Sequence, residues 1–131
     1  MIVMEKASKM LENRRVLLIE DDEVDSLMLK FMVENQGGEI VQEDSCQNAY
    51  DVIKKQDFDL LILDTRLQHT NTIEIIRDLR SNADFKLPAI GLASKYLSGR
   101  ALQSGFDAML FRPLDQARFL EALSHVSPKL P

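Results

Sequence analysis

The sequence predicts an α/β fold, a parallel sheet with helices packed on both faces. Three observations carry this. Short apolar runs of strand length alternate with helix-spaced apolar positions five times along the chain. The run Leu60–Leu63 is continuously apolar, as in a strand covered on both sides. Gly37-Gly38, Gly105 and Pro113 stand at junctions between these segments, where chain breakers belong.

Val16–Ile19 is the first strand, and it stops at acid. Val24, Leu27, Met28 and Phe31 follow at i, i+3, i+4 and i+7, an apolar helix face of the kind that packs on a core. Gly37-Gly38 ends that helix. Glu39–Glu43 is a short second strand. Ser45 can cap a helix that carries Ala49, Val52 and Ile53 inward. Phe58–Leu63 is the third strand, and Ile73, Ile76, Leu79 and Arg80 continue as helix. Leu87–Ala93 is the fourth strand, with Pro88 tolerable only near its start. Ser98–Ser104 is a short helix ended by Gly105. Asp107–Phe111 is the fifth strand. Asp115 then caps a last helix with Phe119, Ala122, Leu123 and Val126 on one face. Five such units with right-handed crossovers give a doubly wound sheet. In a flavodoxin-like (βα)5 arrangement the five parallel strands take the order 2-1-3-4-5. Ligands then bind outside the carboxyl ends of the strands, where the order reverses.

At 131 residues the chain is one domain's worth. Residues 1–13 read as an N-terminal extension, with Met4, Ala7, Met10 and Leu11 at helical spacing. Residues 14–127 form the domain and 128–131 a tail, so no output domain is expected after residue 127. The longest apolar runs are far shorter than a membrane helix, and the start is no signal peptide; a cytoplasmic protein is expected. The single Cys46 excludes an internal disulfide and a cysteine-built zinc site. The net charge of −5 argues against a nucleic-acid coat. That charge is uneven. Residues 1–64 hold fifteen carboxylates against seven bases, and residues 65–131 hold six against nine. Glu20, Asp21, Asp22, Glu23 and Asp25 crowd into six positions.

The fold locates those acids. Glu20 and Asp21 lie at the carboxyl end of the first strand and Asp64 at that of the third, its neighbour. Three carboxylates converging there repel one another unless a cation sits among them. Hard oxygen ligands with open positions suit Mg²⁺. Asp22, Glu23 and Asp25 read as the solvated acidic start of a helix, favoured by its dipole.

With these pieces in place the sequence resembles the receiver domain of two-component response regulators over residues 14–126. The matching segments are Val16-Leu-Leu-Ile-Glu-Asp-Asp-Glu, Phe58-Asp-Leu-Leu-Ile-Leu-Asp64, Ile73-Glu-Ile-Ile-Arg-Asp-Leu-Arg, Leu87-Pro-Ala-Ile-Gly-Leu, Gly105-Phe-Asp-Ala and Arg112-Pro113-Leu114. The resemblance implies that Asp64 accepts a phosphoryl group from a histidine kinase or a histidine phosphotransfer protein. It implies a Mg²⁺ site made by Asp21, Asp64, the backbone carbonyl of Arg66, and Glu20 through water. The domain is then not a turnover enzyme on small molecules, although it can lose its own phosphoryl group. It signals by contact with a downstream protein, without direct nucleic-acid or membrane binding. The implied interface is the fourth helix, fifth strand and last helix, with Lys95, Tyr96, Arg100, Gln103, Phe111, Arg118 and Phe119. A homodimer through that face is also implied.

The departures from the family pattern matter as much. The family's lysine before the proline is Arg112, a planar fork that does not interchange with lysine. Arg112 can grip Asp64 or its phosphate bidentately, and its bond to Pro113 is a candidate cis bond. The family's hydroxyl at the end of the fourth strand falls on Ala93, leaving the Ala93 backbone and Ser94 to contact phosphate. The aromatic switch position is Met109. Gln68 and Thr72 replace a proline and a glycine, so the loop 65–72 differs in shape, and His69 within it reads as exposed. Arg66, Lys95 and Arg112 set three bases against three carboxylates, which would weaken Mg²⁺ binding. The rival reading is therefore a pseudo-receiver, a protein-interaction module independent of phosphorylation. A haloacid-dehalogenase-like phosphatase needs a second Asp where Arg66 stands. A flavodoxin-type cofactor binder needs a phosphate-cradling loop where Glu20–Glu23 would repel phosphate.

Overall fold

A computed structural model describes residues 9–55, 57–67, 71–94 and 104–131. Its strands are β1 Arg15–Ile19, β2 Glu39–Glu43, β3 Leu60–Asp64, β4 Ala89–Ala93 and β5 Ala108–Phe111. Its helices are α1 Glu23–Asn35, α2 Cys46–Lys55, α3 Thr72–Ser81 and α4 Gln116–Val126, followed by a 3₁₀ turn at Ser127–Lys129. The strands form one sheet in the order β2-β1-β3-β4-β5, every neighbouring pair parallel. The expected doubly wound topology is the observed one.

Side chains alternate across the sheet and divide the core in two. Val16, Leu18, Leu60, Ile62, Ile90 and Leu92 face one side, against Leu29, Met32 and Val33 of α1 and Phe119, Leu123 and Val126 of α4. Leu17, Ile19, Leu61, Leu63 and Ala89 face the other, with Ile76 and Leu79 of α3 and Cys46 of α2. Both faces of β1 and β3 are thus covered, which is why their sequences are apolar at consecutive positions.

Local chemistry sets the element ends. The Asp22 side chain caps α1 by accepting from the Asp25 N–H at 2.9 Å. The amides of Gly37 and Gly38 take the carbonyls of Glu34 and Val33 at the other end, with Gly37 at a φ of +83°. Asn71 and Asp115 cap α3 and α4 in the same way as Asp22. Upstream of β1, the Leu11 amide donates to the Gln36 carbonyl at 2.9 Å, and the Leu11 side chain is fully buried beside α1.

Two sequence expectations change here. Val24, Leu27 and Phe31, on the helix face singled out by spacing, are 65–70% exposed, and Met28 sits beside them. The buried face of α1 is instead Ser26, Leu29, Met32 and Val33. A helix with apolar residues on most of its circumference satisfies the i, i+3, i+4 rule twice. The orientation is fixed by contacts that spacing does not reveal, such as the 2.7 Å bond from Gln42 Nε2 to Ser26 Oγ. The second change is Phe119, expected both on the apolar face of the last helix and in the interface: it is fully buried with Ala122 and Leu123 against the sheet, which leaves it no surface for an interface. Of the helix expected over Ser98–Ser104, only Ser104 falls within the described residues, and it is helical and buried.

Candidate functional site

β1 and β3 are adjacent, so the residues that follow and end them meet at one rim of the sheet. Carboxylate oxygens of Glu20, Asp21 and Asp64 lie within 4.8 Å of one another. Glu20 is fully buried and Asp64 nearly so, whereas Asp21 is exposed. Such a set of hard, convergent oxygens could hold a metal ion.

Both oxygens of Asp64 are engaged. Oδ1 accepts the Arg66 backbone N–H at 2.9 Å. Oδ2 accepts Arg112 Nη2 at 2.9 Å. Glu20 Oε1 accepts the Asp22 N–H at 3.0 Å, and its Oε2 lies 3.4 Å from the same Arg112 Nη2.

Arg112 follows β5 directly. Its amide donates to the Ala93 carbonyl at 3.0 Å, and its bond to Pro113 is cis, as expected. β4 lies between β5 and β3, and only a long side chain can cross from one to the other. Arginine does so and goes further. Its Nε donates to Asp25 Oδ2 at 2.8 Å, on the first turn of α1. One guanidinium therefore touches Asp25, Glu20 and Asp64, with only 16% of its side chain exposed. Its Nη1 is buried and meets no hydrogen-bond partner among the described residues.

The charges explain the titration. Burial, followed by the hydrogen bond with Asp64, pushes the Glu20 carboxyl up to about 8, against the opposing pull of Arg112. Burial works against the charged Arg112, but the Asp25 hydrogen bond and the three carboxylates outweigh it and keep the guanidinium protonated.

The structure thus gathers Glu20, Asp21, Asp64 and Arg112 as the sequence suggested. Arg66 brings its backbone to Asp64 while its side chain is exposed. Ala93 is buried and Ser94 half-buried. Met109 is half-buried and pairs in register with Gly91; its Cε lies 2.8 Å from where a β carbon on Gly91 would stand. Phe111 is half-buried and Arg118 exposed, whereas Lys95, Tyr96, Arg100, Gln103, Gln68 and His69 lie outside the described residues. Asp25 was missed: it reads as an ordinary helix-start acid, and its partner is 87 positions away. Among the described residues no helix is long and apolar enough to cross a membrane.

Comparison with known proteins gives one answer. The response regulator receiver domain family matches residues 16–124. The chain is 24% identical over 114 residues to the polar-differentiation response regulator DivK of Brucella ovis, covering 84% of this chain and 93% of that one. It shares its fold with the receiver domain of a sensor histidine kinase from Pseudomonas aeruginosa, a structure with a magnesium ion coordinated in the active site cleft. That match has a TM-score of 0.76 at 23% identity, over 88% of this chain and 98% of that one. A sensor protein of a Polaromonas species aligns with a TM-score of 0.78 at 19% identity, over 90% and 98%. The rim of acids on a 2-1-3-4-5 sheet and the family match over most of its length agree: this chain belongs to the response regulator receiver domains of two-component signalling.

Proposed function

We propose that Asp64 accepts a phosphoryl group from a phosphohistidine on a histidine kinase or a histidine phosphotransfer protein. The observation that carries this is the position of Asp64: nearly buried, at the carboxyl end of β3, beside Glu20 and Asp21. A carboxylate oxygen of Asp64 attacks phosphorus, the P–N bond to the donor imidazole breaks, and its electron pair stays with that nitrogen, which then takes a proton. An acyl phosphate results. The donor is already activated, so the chain's share is placement and charge rather than general-base chemistry. The Arg66 N–H fixes one Asp64 oxygen, and Arg112 fixes the other. The Ala93 backbone and Ser94 are the proposed neighbours of the phosphoryl oxygens, with Arg112. Met109 is the proposed switch position.

The donor set fits Mg²⁺: three carboxylates with close oxygens, no sulfur or imidazole, and one ligand residue open to solvent. Glu20, Asp21, Asp64 and the Arg66 carbonyl would hold it, and when bound it would offset the negative charge gathering between Asp64 and the phosphoryl group. The output is contact with a downstream protein in the cytoplasm, through a surface that includes Phe111 and Arg118. A homodimer through that surface belongs to the same proposal.

Incubation with acetyl phosphate and Mg²⁺, followed by intact mass, tests the reading. One added phosphoryl group is expected on the wild type and none on Asp64→Asn. An unlabelled wild type would support a phosphorylation-independent interaction module instead.

A further inference from the structure

We propose that Asp25 is a positioning residue that holds Arg112 across the mouth of the acidic site, so that this guanidinium and a divalent cation compete for Glu20 and Asp64. The inference rests on the reading of that site as one for Mg²⁺, and it adds a residue and a means of control.

The geometry of the fork carries it. Nε and Nη2 share one edge of the guanidinium plane, and in a simple ion pair both would face one carboxylate. Here the edge is split. Nε lies 2.8 Å from Asp25 on α1, and Nη2 lies 2.9 Å from Asp64 and 3.4 Å from Glu20. The plane is thereby fixed at two ends, with positive charge against two of the three candidate metal ligands. The arrangement leaves Nη1 buried with no partner among the described residues. A guanidinium placed by Asp64 alone would be free to turn until that donor was satisfied, so the Asp25 bond is what selects the observed orientation.

Asp25 is not one of the converging ligands, which are Glu20, Asp21 and Asp64. It can therefore act on a bound metal in two ways only. One is through space, where its negative charge favours the cation. The other is through Arg112, where it holds a competitor in place. These have opposite signs, and a lysine in place of Arg112 could not span both carboxylates.

The experiment is a double-mutant cycle on the full chain. Mg²⁺ affinity is read by amide NMR titration, and the spectra of the metal-free variants report that each is folded. Arg112→Ala is expected to tighten Mg²⁺ binding by about tenfold or more, the scale of one cation removed from a few ångströms away. Asp25→Asn is expected to tighten binding when Arg112 is present and to weaken it when Arg112 is alanine or lysine. That reversal of sign supports positioning. An effect of Asp25→Asn in the same direction and size in all three backgrounds overturns it, and if the wild type still takes a phosphoryl group from acetyl phosphate, the phosphoacceptor reading survives alone. If neither the wild type nor Arg112→Ala binds Mg²⁺, the metal site and this inference fall together.

Discussion

Glu20 shows what burial does to a single group. Its carboxyl titrates near 4.5 when free and near 8 in the folded, metal-free chain. Between those values the folded state keeps a proton that the unfolded state has lost. The stability this contributes is complete below the unfolded value and disappears as pH rises through about 8. Urea unfolding in the presence of a chelator should therefore show the wild type weakening between about pH 4.5 and about pH 8. Glu20→Gln, which has no proton to lose, should flatten that slope. On the proposed metal site, Mg²⁺ binding to the wild type should strengthen over the same interval, because an ionised carboxylate can hold the cation and a carboxylic acid does not.

Helix α1 separates what periodicity reveals from what it hides. Leu29 is fully buried in the core, and Phe31, two residues on, is 65% exposed. Leu29→Ala should cost about 2–5 kcal/mol in thermal or urea unfolding. Phe31→Ala should stay within about 0.5 kcal/mol, as surface substitutions do. A reading from spacing alone reverses the two, because Leu29, Met32 and Val33 compete with Val24, Leu27, Met28 and Phe31 for the same rule. The strands carried no such ambiguity. β1 and β3 are apolar at consecutive positions, so either register is buried, and the acids that end them mark the rim. The core of the site was legible for that reason. Asp25 was not, since its role exists only once the far end of the chain has folded over it, and nothing local distinguishes it from Asp22 or Glu23.

The molecule as a whole is fastened away from the acids by Asp107, just before β5. Its Oδ2 accepts Arg80 Nη2 at 3.0 Å and the Ala89 amide at 2.8 Å, and its Oδ1 meets Lys129. One side chain thus joins α3, the start of β4 and the turn after α4. Asp107→Ala would strand the buried Ala89 amide and take the carboxylate partner from the half-buried Arg80, which keeps its Nε bond to the Gly105 carbonyl. A loss of about 2–4 kcal/mol is expected, made of an unsatisfied buried donor and a broken ion pair. A urea midpoint unchanged within error would show that the network contributes nothing. Arg80→Ala should capture part of the same loss, with Lys129→Ala contributing little because that lysine is largely exposed.

The fit of Met109 onto Gly91 makes two strands answer to each other's side chains. Position 91 lacks a β carbon, and the thioether of the neighbouring strand fills the space it would take. The two sites are therefore sterically coupled across β4 and β5. An alanine at 91 would displace the Met109 thioether, the mobile end of a flexible side chain, and would press on the Phe106 ring at 3.2 Å, whereas a rigid aromatic ring at 109 would have less freedom to move aside.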